Sequence, residues 1–252
     1  MKLADSHCHV NDSKFDEDRE EVFKRAETEL EFIVNIGNDL KTSEESIKYS
    51  EKYPFVYAVV GVHPTDISTY NDEVEKRIED FSKHEKAVAI GEIGLDYYWM
   101  EDEKEVQKEG FRRQMKLAEK VGLPVVIHSR DAMEDTINIL NEFPDVKGVF
   151  HCYPSSFESA MLVPKGYVFG IGGVLTFKNA RKTVEFIEKI DLSRIVIETD
   201  SPYLTPSPFR GKRNEPVYVK YVAEKIAEIK NISVEEVIRI TTENAKKIYN
   251  IR

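Results

Sequence analysis

Short apolar runs alternate along the chain with longer amphipathic stretches. Eight of these runs are rich in β-branched residues and nearly continuous in apolar character, which predicts strands covered on both faces. They comprise residues 2–10, 31–37, 55–62, 86–94, 123–128, 146–151, 166–172 and 194–200. The stretches between them have helical periodicity, as in 103–122, where Phe111, Met115 and Ala118 recur among charged positions. Eight strand–helix units predict an α/β protein with the (β/α)8 TIM-barrel fold.

The remaining chain is predicted to complete one domain. Residues 217–252 have the pattern of two closing C-terminal helices, with Ser233 as an N-cap and Glu236 at the capping-box position. Residues 201–216 contain four prolines and are expected to form a stiff loop after the eighth strand. An open, doubly wound sheet is the structural alternative, because it contains the same elements in another strand order. No linker or repeat interrupts the sequence, so we expect residues 1–252 to form a single domain.

Composition narrows the class of protein. The 252 residues are 41% hydrophobic and 33% charged, which excludes a disordered or collagen-like chain. The net charge of −10 argues against coating nucleic acid by bulk charge but allows a local site that carries cations. Two cysteines exclude a disulfide scaffold. Neither a membrane span nor the apolar stretch of a signal peptide is visible, so we expect a cytoplasmic protein without membrane contact or an obligate protein partner.

Histidines and carboxylates cluster where the predicted strands end. Five of the six histidines follow strands 1, 3, 5 and 6, and two carboxylates follow strands 4 and 8. These residues are His7, His9, His63, His128, His151, Glu92 and Asp200. In an α/β barrel such ends meet at one mouth, where active sites lie. The sixth histidine, His84, precedes strand 4 and is expected on the surface at the opposite end.

The spacing of His7 and His9 predicts that both imidazoles point the same way and can bind one cation. Cys8 between them is expected to point away and to pack in the core. A single strand-end histidine is more often a hydrogen-bonded core residue. Together, however, four histidines and two acids at one mouth would leave lone pairs unsatisfied and carboxylates desolvated without a cation. Six ligands exceed one tetrahedral site, which predicts two divalent cations, and Mg, Mn and Zn all suit these ligand types.

Other residues at the mouth are candidates for binding substrate. His63 is not needed to complete either cation, so a substrate-contacting or acid–base role is favoured over a loop role. The loops after strands 7 and 8, the usual phosphate-binding places on this fold, contain several basic residues, although a solvated face would have the same composition. These residues are Lys178, Arg181, Arg210, Lys212 and Arg213. The glycines at 170, 172 and 173 would let backbone amides approach a phosphate, but close packing at a strand end would explain them equally well. The rings of Tyr97, Tyr98 and Trp99 would stack on nucleic-acid bases or pack within the core or a lid.

Several segments in order along the chain resemble the TatD family, metal-dependent deoxyribonucleases of the amidohydrolase superfamily. The segments are Ser6-His7-Cys8-His9, Gly61-Val62-His63-Pro64, Gly91-Glu92-Ile93-Gly94-Leu95-Asp96-Tyr97, His128-Ser129-Arg130 and Glu198-Thr199-Asp200-Ser201-Pro202. The resemblance implies that His7, His9 and Asp200 hold one cation. It also implies that His128 and His151 hold the second, with Glu92 bridging the two.

The activity implied by the resemblance is hydrolysis of DNA phosphodiester bonds by metal-activated water, with 3'–5' exonuclease action as one form. The expected partner is DNA, single-stranded or at its ends. Asp200 is the candidate general base, with Glu92 and His63 as further catalytic residues, and Arg130 joins the predicted substrate contacts. The alternatives are a small-molecule amidohydrolase or lactonase on the same barrel, and a non-catalytic metal-binding protein. One segment departs from the family pattern: Cys152-Tyr153-Pro154-Ser155-Ser156 follows His151, which changes the loop after strand 6.

Overall fold

Eight parallel strands form a barrel in the computed structural model, which describes residues 2–252. Each strand pairs with the next along the chain. Hydrogen bonds from His9 N to Ser201 O (2.7 Å) and from Asp200 N to His7 O (3.0 Å) join the segment that follows the eighth strand to the end of the first and close the barrel. The strands are β1 (Leu3–Cys8), β2 (Leu30–Ile36), β3 (Val56–Val60), β4 (Ala87–Asp96), β5 (Val125–Arg130), β6 (Gly148–Phe150), β7 (Tyr167–Ile171) and β8 (Ile195–Ile197). The predicted (β/α)8 barrel is therefore confirmed, and the open sheet is excluded.

Helices connect the strands and surround the barrel. They are α1 (Arg19–Glu29), α2 (Leu40–Lys52), α3 (Asp72–Phe81), α4 (Lys104–Val121), α5 (Met133–Glu142), α6 (Phe157–Ala160), α7 (Arg181–Lys189), α8 (Val219–Lys230) and α9 (Val234–Tyr249). The Ser233 side chain accepts a hydrogen bond from Glu236 N at the start of α9, as the sequence predicts. Within residues 2–252, none of the helices is both long enough and apolar enough to cross a bilayer.

The apolar core has two layers. In the inner layer, strand residues such as Val34, Val59 and Val126 pack with Tyr249 of α9, whose hydroxyl donates a 3.1 Å hydrogen bond to Ser6 O. The outer layer lies between strands and helices and contains fully buried rings such as Phe111. Fully burying one such side chain stabilises the fold by about 1.5–3 kcal/mol. The two layers hold the strand ends in a rigid ring, on which the candidate site is built.

Candidate metal centre

Pairing between β4 and β5 sets the position of the central carboxylate. The register of the pair shifts between Ile90 and Ile93, around Glu92, and then continues unbroken to the pair Asp96–Arg130, with Gly94 opposite His128. A Cβ on Gly94 would lie 2.0 Å from the His128 carbonyl oxygen, and Gly94 has a backbone φ of +142°. Both facts require glycine here. The close approach brings Glu92 of β4 beside His128 of β5, with Glu92 Oε1 3.0 Å from His128 Nδ1.

A first group of ligand atoms converges where β1 and β8 end. His7 Nε2 and His9 Nε2 lie 3.0 Å apart, and Asp200 Oδ1 is 3.7 Å from the first and 3.4 Å from the second. Neighbouring ligands of a tetrahedral cation bound at about 2.1 Å lie roughly 3.3 Å from each other. Two imidazoles and a carboxylate with this spacing therefore fit a divalent cation without rearrangement.

The backbone at Asp200 is unusual for a residue with a side chain. Its φ is +56°, in the left-handed region that aspartate tolerates better than most residues. The Asp200 amide donates to His7 O (3.0 Å), and its carbonyl accepts from Tyr203 N (2.8 Å). Conformations of this kind cost on the order of 1–3 kcal/mol and cluster at functional sites. This backbone conformation turns the carboxylate toward His7 of β1 and toward His9, which follows β1.

Glu92 lies between two pairs of histidines. Its Oε2 atom is 3.5 Å from His7 Nε2 and 3.9 Å from His9 Nε2. Its Oε1 atom is 3.0 Å from His128 Nδ1 and 3.9 Å from His151 Nε2. One carboxylate oxygen thus faces each pair, which is the arrangement that a bridging ligand between two cations requires. The geometry brings together all six residues that the sequence predicts as ligands.

Two further carboxylates, which the sequence analysis missed, lie behind the second histidine pair. Asp96 Oδ2 is 3.0 Å from His128 Nε2, and Glu198 Oε1 is 2.9 Å from His151 Nδ1. Each therefore faces the ring nitrogen that points away from Glu92. Carboxylates in this position set the tautomer of a metal-binding histidine and raise its basicity. The sequence did contain a signal for both carboxylates, because each lies at a strand end close to a predicted ligand. Asp96 is four residues after Glu92, and Glu198 is two residues before Asp200.

Glu198 occupies a closely fitted position. Its side chain is fully buried, and its Oε1 atom accepts a 2.6 Å hydrogen bond from the Cys152 amide. A Cβ on Gly170 would lie 2.2 Å from Glu198 Oε2. Gly170 is therefore required because it leaves room for this carboxylate. Close packing, one of the two interpretations of the glycine segment, accounts for Gly170.

Electrostatics favour a cation at this centre. Burial alone would raise the pKa of Glu92, but the surrounding histidines, His151 and His7 above all, hold it well below its ordinary value. Burial would also raise the pKa of Asp200, but the hydrogen bond with His9 and the charges of His151, His9 and His7 together outweigh burial, so this pKa is lowered. For His151, burial lowers the pKa, but the charges of Glu198 and Glu92 raise it to about 10. The pKa values of His9, His128 and His151 are raised, so the two ionised carboxylates favour protons on these imidazoles when no cation is present. Burial instead lowers the pKa of His7, which stays neutral.

His63 lies against the second histidine pair, with its ring centroid 4.4 Å from that of His128. Burial, reinforced by the nearby charge of His128, lowers the pKa of His63 to about 3. Its Nδ1 atom accepts the Thr65 amide at 3.2 Å, which assigns the ring proton to Nε2. His63 is therefore a neutral hydrogen-bond donor at the wall of the cavity.

A cavity of about 800 Å³ opens above these ligands. Of the residues predicted to bind substrate, Arg130 and His63 line it, together with Trp99. The other predicted basic contacts are exposed, and the cavity-lining residues do not include them. They are Lys178, Arg181, Arg210 and Lys212. Arg210, for example, stacks 3.8 Å from the centre of the Phe177 ring.

Arg213, which the sequence predicts as a substrate contact, is engaged in ion pairs within the fold. Its two terminal nitrogens each lie 2.6 Å from an oxygen of Asp18, and one is 3.2 Å from Glu215. Its guanidinium also stacks 4.5 Å from the centre of the buried Phe15 ring. These contacts tie the loop after β8 to the start of α1. The hydrogen-bond donors that would bind a phosphate are thus already paired.

The segment that departs from the family pattern forms one wall of the cavity. Cys152, Tyr153 and Pro154 all line it. Tyr153 is buried against the rings of Phe150 and Phe169, and its hydroxyl donates to Ser156 O at 3.0 Å. Buried aromatic packing therefore holds the altered loop. Cys8, by contrast, packs in the outer core layer, as predicted.

Comparisons with known proteins agree with this architecture. The family model described as "TatD related DNase" matches residues 4–250. An uncharacterized metal-dependent hydrolase of Bacillus subtilis, YabD, is 49% identical over 99% of both chains. Another uncharacterized metal-dependent hydrolase, YcfH of Escherichia coli K12, is 34% identical over 100% of this chain and 97% of its own. The crystal structure of YJJV, a TatD homologue from E. coli K12, superposes with a TM-score of 0.92 at 28% identity, covering 99% of this chain and 98% of that one. The chain therefore belongs to the TatD family of metal-dependent hydrolases.

Proposed function

We propose that this protein is a divalent-metal-dependent deoxyribonuclease that hydrolyses phosphodiester bonds of DNA. The observation that carries the proposal is the position of Glu92, one oxygen of which faces His7 and His9 and the other His128 and His151. A centre for two adjacent cations suits displacement at phosphorus, because the attacking and leaving oxygens both develop charge. The family description as a DNase supports the same substrate.

The separations support the ligand assignment implied by the resemblance most directly for His7, His9 and Asp200, which form one cluster of converging ligand atoms. His7, His9 and Asp200 would hold one cation, and His128 and His151 the other, with Glu92 shared between them. When bound, the cations would supply positive charge for the phosphate oxygens and a water of lowered pKa. Nitrogen and carboxylate oxygen donors together suit Zn, Mn or Mg.

Residues of the chain itself would handle the protons. The pKa of Asp200 is lowered, so this carboxylate is ionised at neutral pH and can accept a proton as general base. Neutral His63 would donate its Nε2 proton as a hydrogen bond to a phosphate oxygen. Asp96 and Glu198 would hold His128 and His151 in the orientation that presents the other ring nitrogen.

Burial of the centre favours a single strand or a frayed end as substrate. His7 is fully buried, and Glu92 and His151 are only 3% and 6% exposed, so a phosphodiester must enter the cavity to reach them. A flexible single strand can do so, whereas base pairing holds the phosphates of a duplex on the outside of a stiff helix. Entry of a free end would allow exonuclease action, for which the family resemblance implies the 3'–5' direction.

The test is a metal-swap nuclease assay. Protein stripped with EDTA is given back Mg, Mn or Zn separately, and end-labelled single- and double-stranded DNA is followed on a gel. Metal-dependent cleavage should vanish in His128→Ala and persist in His84→Ala, a matched histidine outside the centre. A ladder indicates exonuclease action, and sudden loss of length indicates endonuclease action. Intact DNA with two cations bound would refute the proposal and direct the test to lactones and amides.

The base assignment has its own test. Asp200→Asn should lower turnover far more than metal content, because an amide can still ligate through oxygen but cannot accept the proton. Equal losses of turnover and of metal would refute Asp200 as the base.

A further inference from the structure

Exposed aromatic rings are concentrated at the mouth of the cavity. In the described chain, the aromatic members of the exposed large hydrophobic side chains are Tyr98, Trp99 and Tyr203, at 56%, 54% and 43% exposure. Trp99 and Tyr203 line the cavity, and Tyr98 adjoins Trp99. Apolar surface left open beside a polar centre marks a place where a ligand binds.

The two cavity-lining rings stand on opposite sides of the metal ligands. Trp99 follows β4 and Tyr203 follows β8. In a ring of eight strands ordered β1 to β8, these two strands are four places apart, and so face each other across the barrel. A strand of nucleic acid crossing the centre would therefore meet one ring on each side of the reacting phosphate.

On the β8 side, Tyr203 is held in place and carries a cation. Its hydroxyl donates a 2.7 Å hydrogen bond to Asp12 Oδ2. Lys14 Nζ lies 4.0 Å from the ring centroid, and the His9 ring is 6.5 Å away. Lys14 is a basic residue that the sequence analysis did not single out. An aromatic face and an ammonium group thus lie together beside the first group of ligands.

The β4 side has the same composition. Asp96 Oδ1 accepts from the amides of Tyr98 (2.9 Å) and Trp99 (2.8 Å), while its Oδ2 contacts His128. The Arg130 guanidinium stacks 3.9 Å from the centre of the Tyr98 ring and 5.7 Å from that of Trp99. The Asp96 carboxylate therefore links the turn that carries Tyr98 and Trp99 to the predicted ligand His128.

We propose that the pair Tyr203 and Lys14 and the pair Trp99 and Arg130 together form a nucleotide clamp for a single-stranded oligonucleotide. One base stacks on Tyr203 and another on Trp99, and Lys14 and Arg130 contact the phosphates on either side of the one that is cleaved. Stacking on rings tolerates any base, so cleavage would have little sequence preference. The positive charges of Lys14 and Arg130 at the mouth would attract the phosphate backbone of the oligonucleotide, although the protein has a net charge of −10. This inference rests on the proposed function and names its substrate-binding residues.

The decisive measurement separates stacking from phosphate binding. KM and kcat are measured for a short single-stranded oligonucleotide, and for the same oligonucleotide with abasic nucleotides flanking the cleaved bond. Trp99→Ala should raise KM about 5- to 150-fold for the normal oligonucleotide, the effect of losing one base–aromatic stack, and leave KM for the abasic one nearly unchanged. Trp99→Phe should restore most of the affinity. Leu162→Ala, exposed and outside the cavity lining, is the control.

The outcomes distinguish this inference from the proposed function. Equal rises in KM for both oligonucleotides, or no rise for either, would overturn the clamp while DNA cleavage stands. If the wild type cleaves neither, the proposed function fails. Fluorescence anisotropy with the labelled oligonucleotides then decides the clamp: tighter binding of the normal one, lost in Trp99→Ala, supports it, and equal binding of both overturns it.

Discussion

Replacing Glu198 by glutamine tests whether the buried carboxylates control metal binding. Gln has the same shape, so its side-chain oxygen can still accept the Cys152 amide that Glu198 accepts at 2.6 Å. The change removes the negative charge that lies 2.9 Å from His151 Nδ1. The volume above Gly170 stays filled. The perturbation is therefore confined to the charge behind one metal-binding imidazole.

The expected magnitude follows from this contact. Removing the outer partner of a metal-binding histidine typically weakens metal affinity by about 10- to 100-fold, or about 1.4–2.8 kcal/mol. His151 Nε2 lies 3.9 Å from Glu92 Oε1, so the loss should fall mainly on the cation proposed to bind at His128 and His151. The affinity for the cation proposed to bind at His7 and His9 should be affected less.

Competition between the stripped protein and a chromogenic chelator measures both dissociation constants. Glu142→Gln is a matched control, because Glu142 is likewise paired, with Arg112 at 2.7 Å, but on the outer helix α5. The control should bind both cations as the wild type does. Wild-type affinity at both sites in Glu198→Gln would refute the idea that this carboxylate strengthens His151 as a ligand.

Three further outcomes are expected. Gly170→Ala places a Cβ 2.2 Å from the Glu198 carboxylate and should lower the metal content of the protein. Gly172→Ala, whose Cβ would lie 3.6 Å from the nearest atom, should keep the wild-type metal content. Atomic absorption measures the metal content of both variants. Arg213→Ala should lower the melting temperature, by loss of a partly exposed ion pair worth about 1 kcal/mol. It should leave KM for DNA unchanged if this pairing is its whole role, whereas a raised KM would support the predicted substrate contact. Since the pKa of His151 is about 10 without metal, a bound proton competes with the cation. Calorimetric titrations between about pH 6 and pH 8 should therefore show affinity rising with pH, by up to about tenfold per unit, and a flat profile would contradict the protonated state.

Much of the fold was determined locally. Buried parallel strands need continuous apolar runs, and all eight runs became strands, because no other arrangement hides both faces. The alternating helices could be predicted for the same reason, since amphipathic periodicity is a property of neighbouring residues. Strand ends were less certain: β4 extends to Asp96, two residues beyond the prediction, because its pairing with β5 continues to Arg130.

The sequence by itself determined which side chains gather at the mouth, because strand order in a barrel places every carboxyl end on one face. Only the tertiary structure decided which of these side chains contact one another and which are paired elsewhere in the fold. Contacts between distant segments showed that Glu198 backs His151, that Arg213 is paired with Asp18, and that Lys14 lies over Tyr203. Each of these pairs is separated by tens to hundreds of residues, and each depends on distances of a few ångströms that local periodicity does not encode.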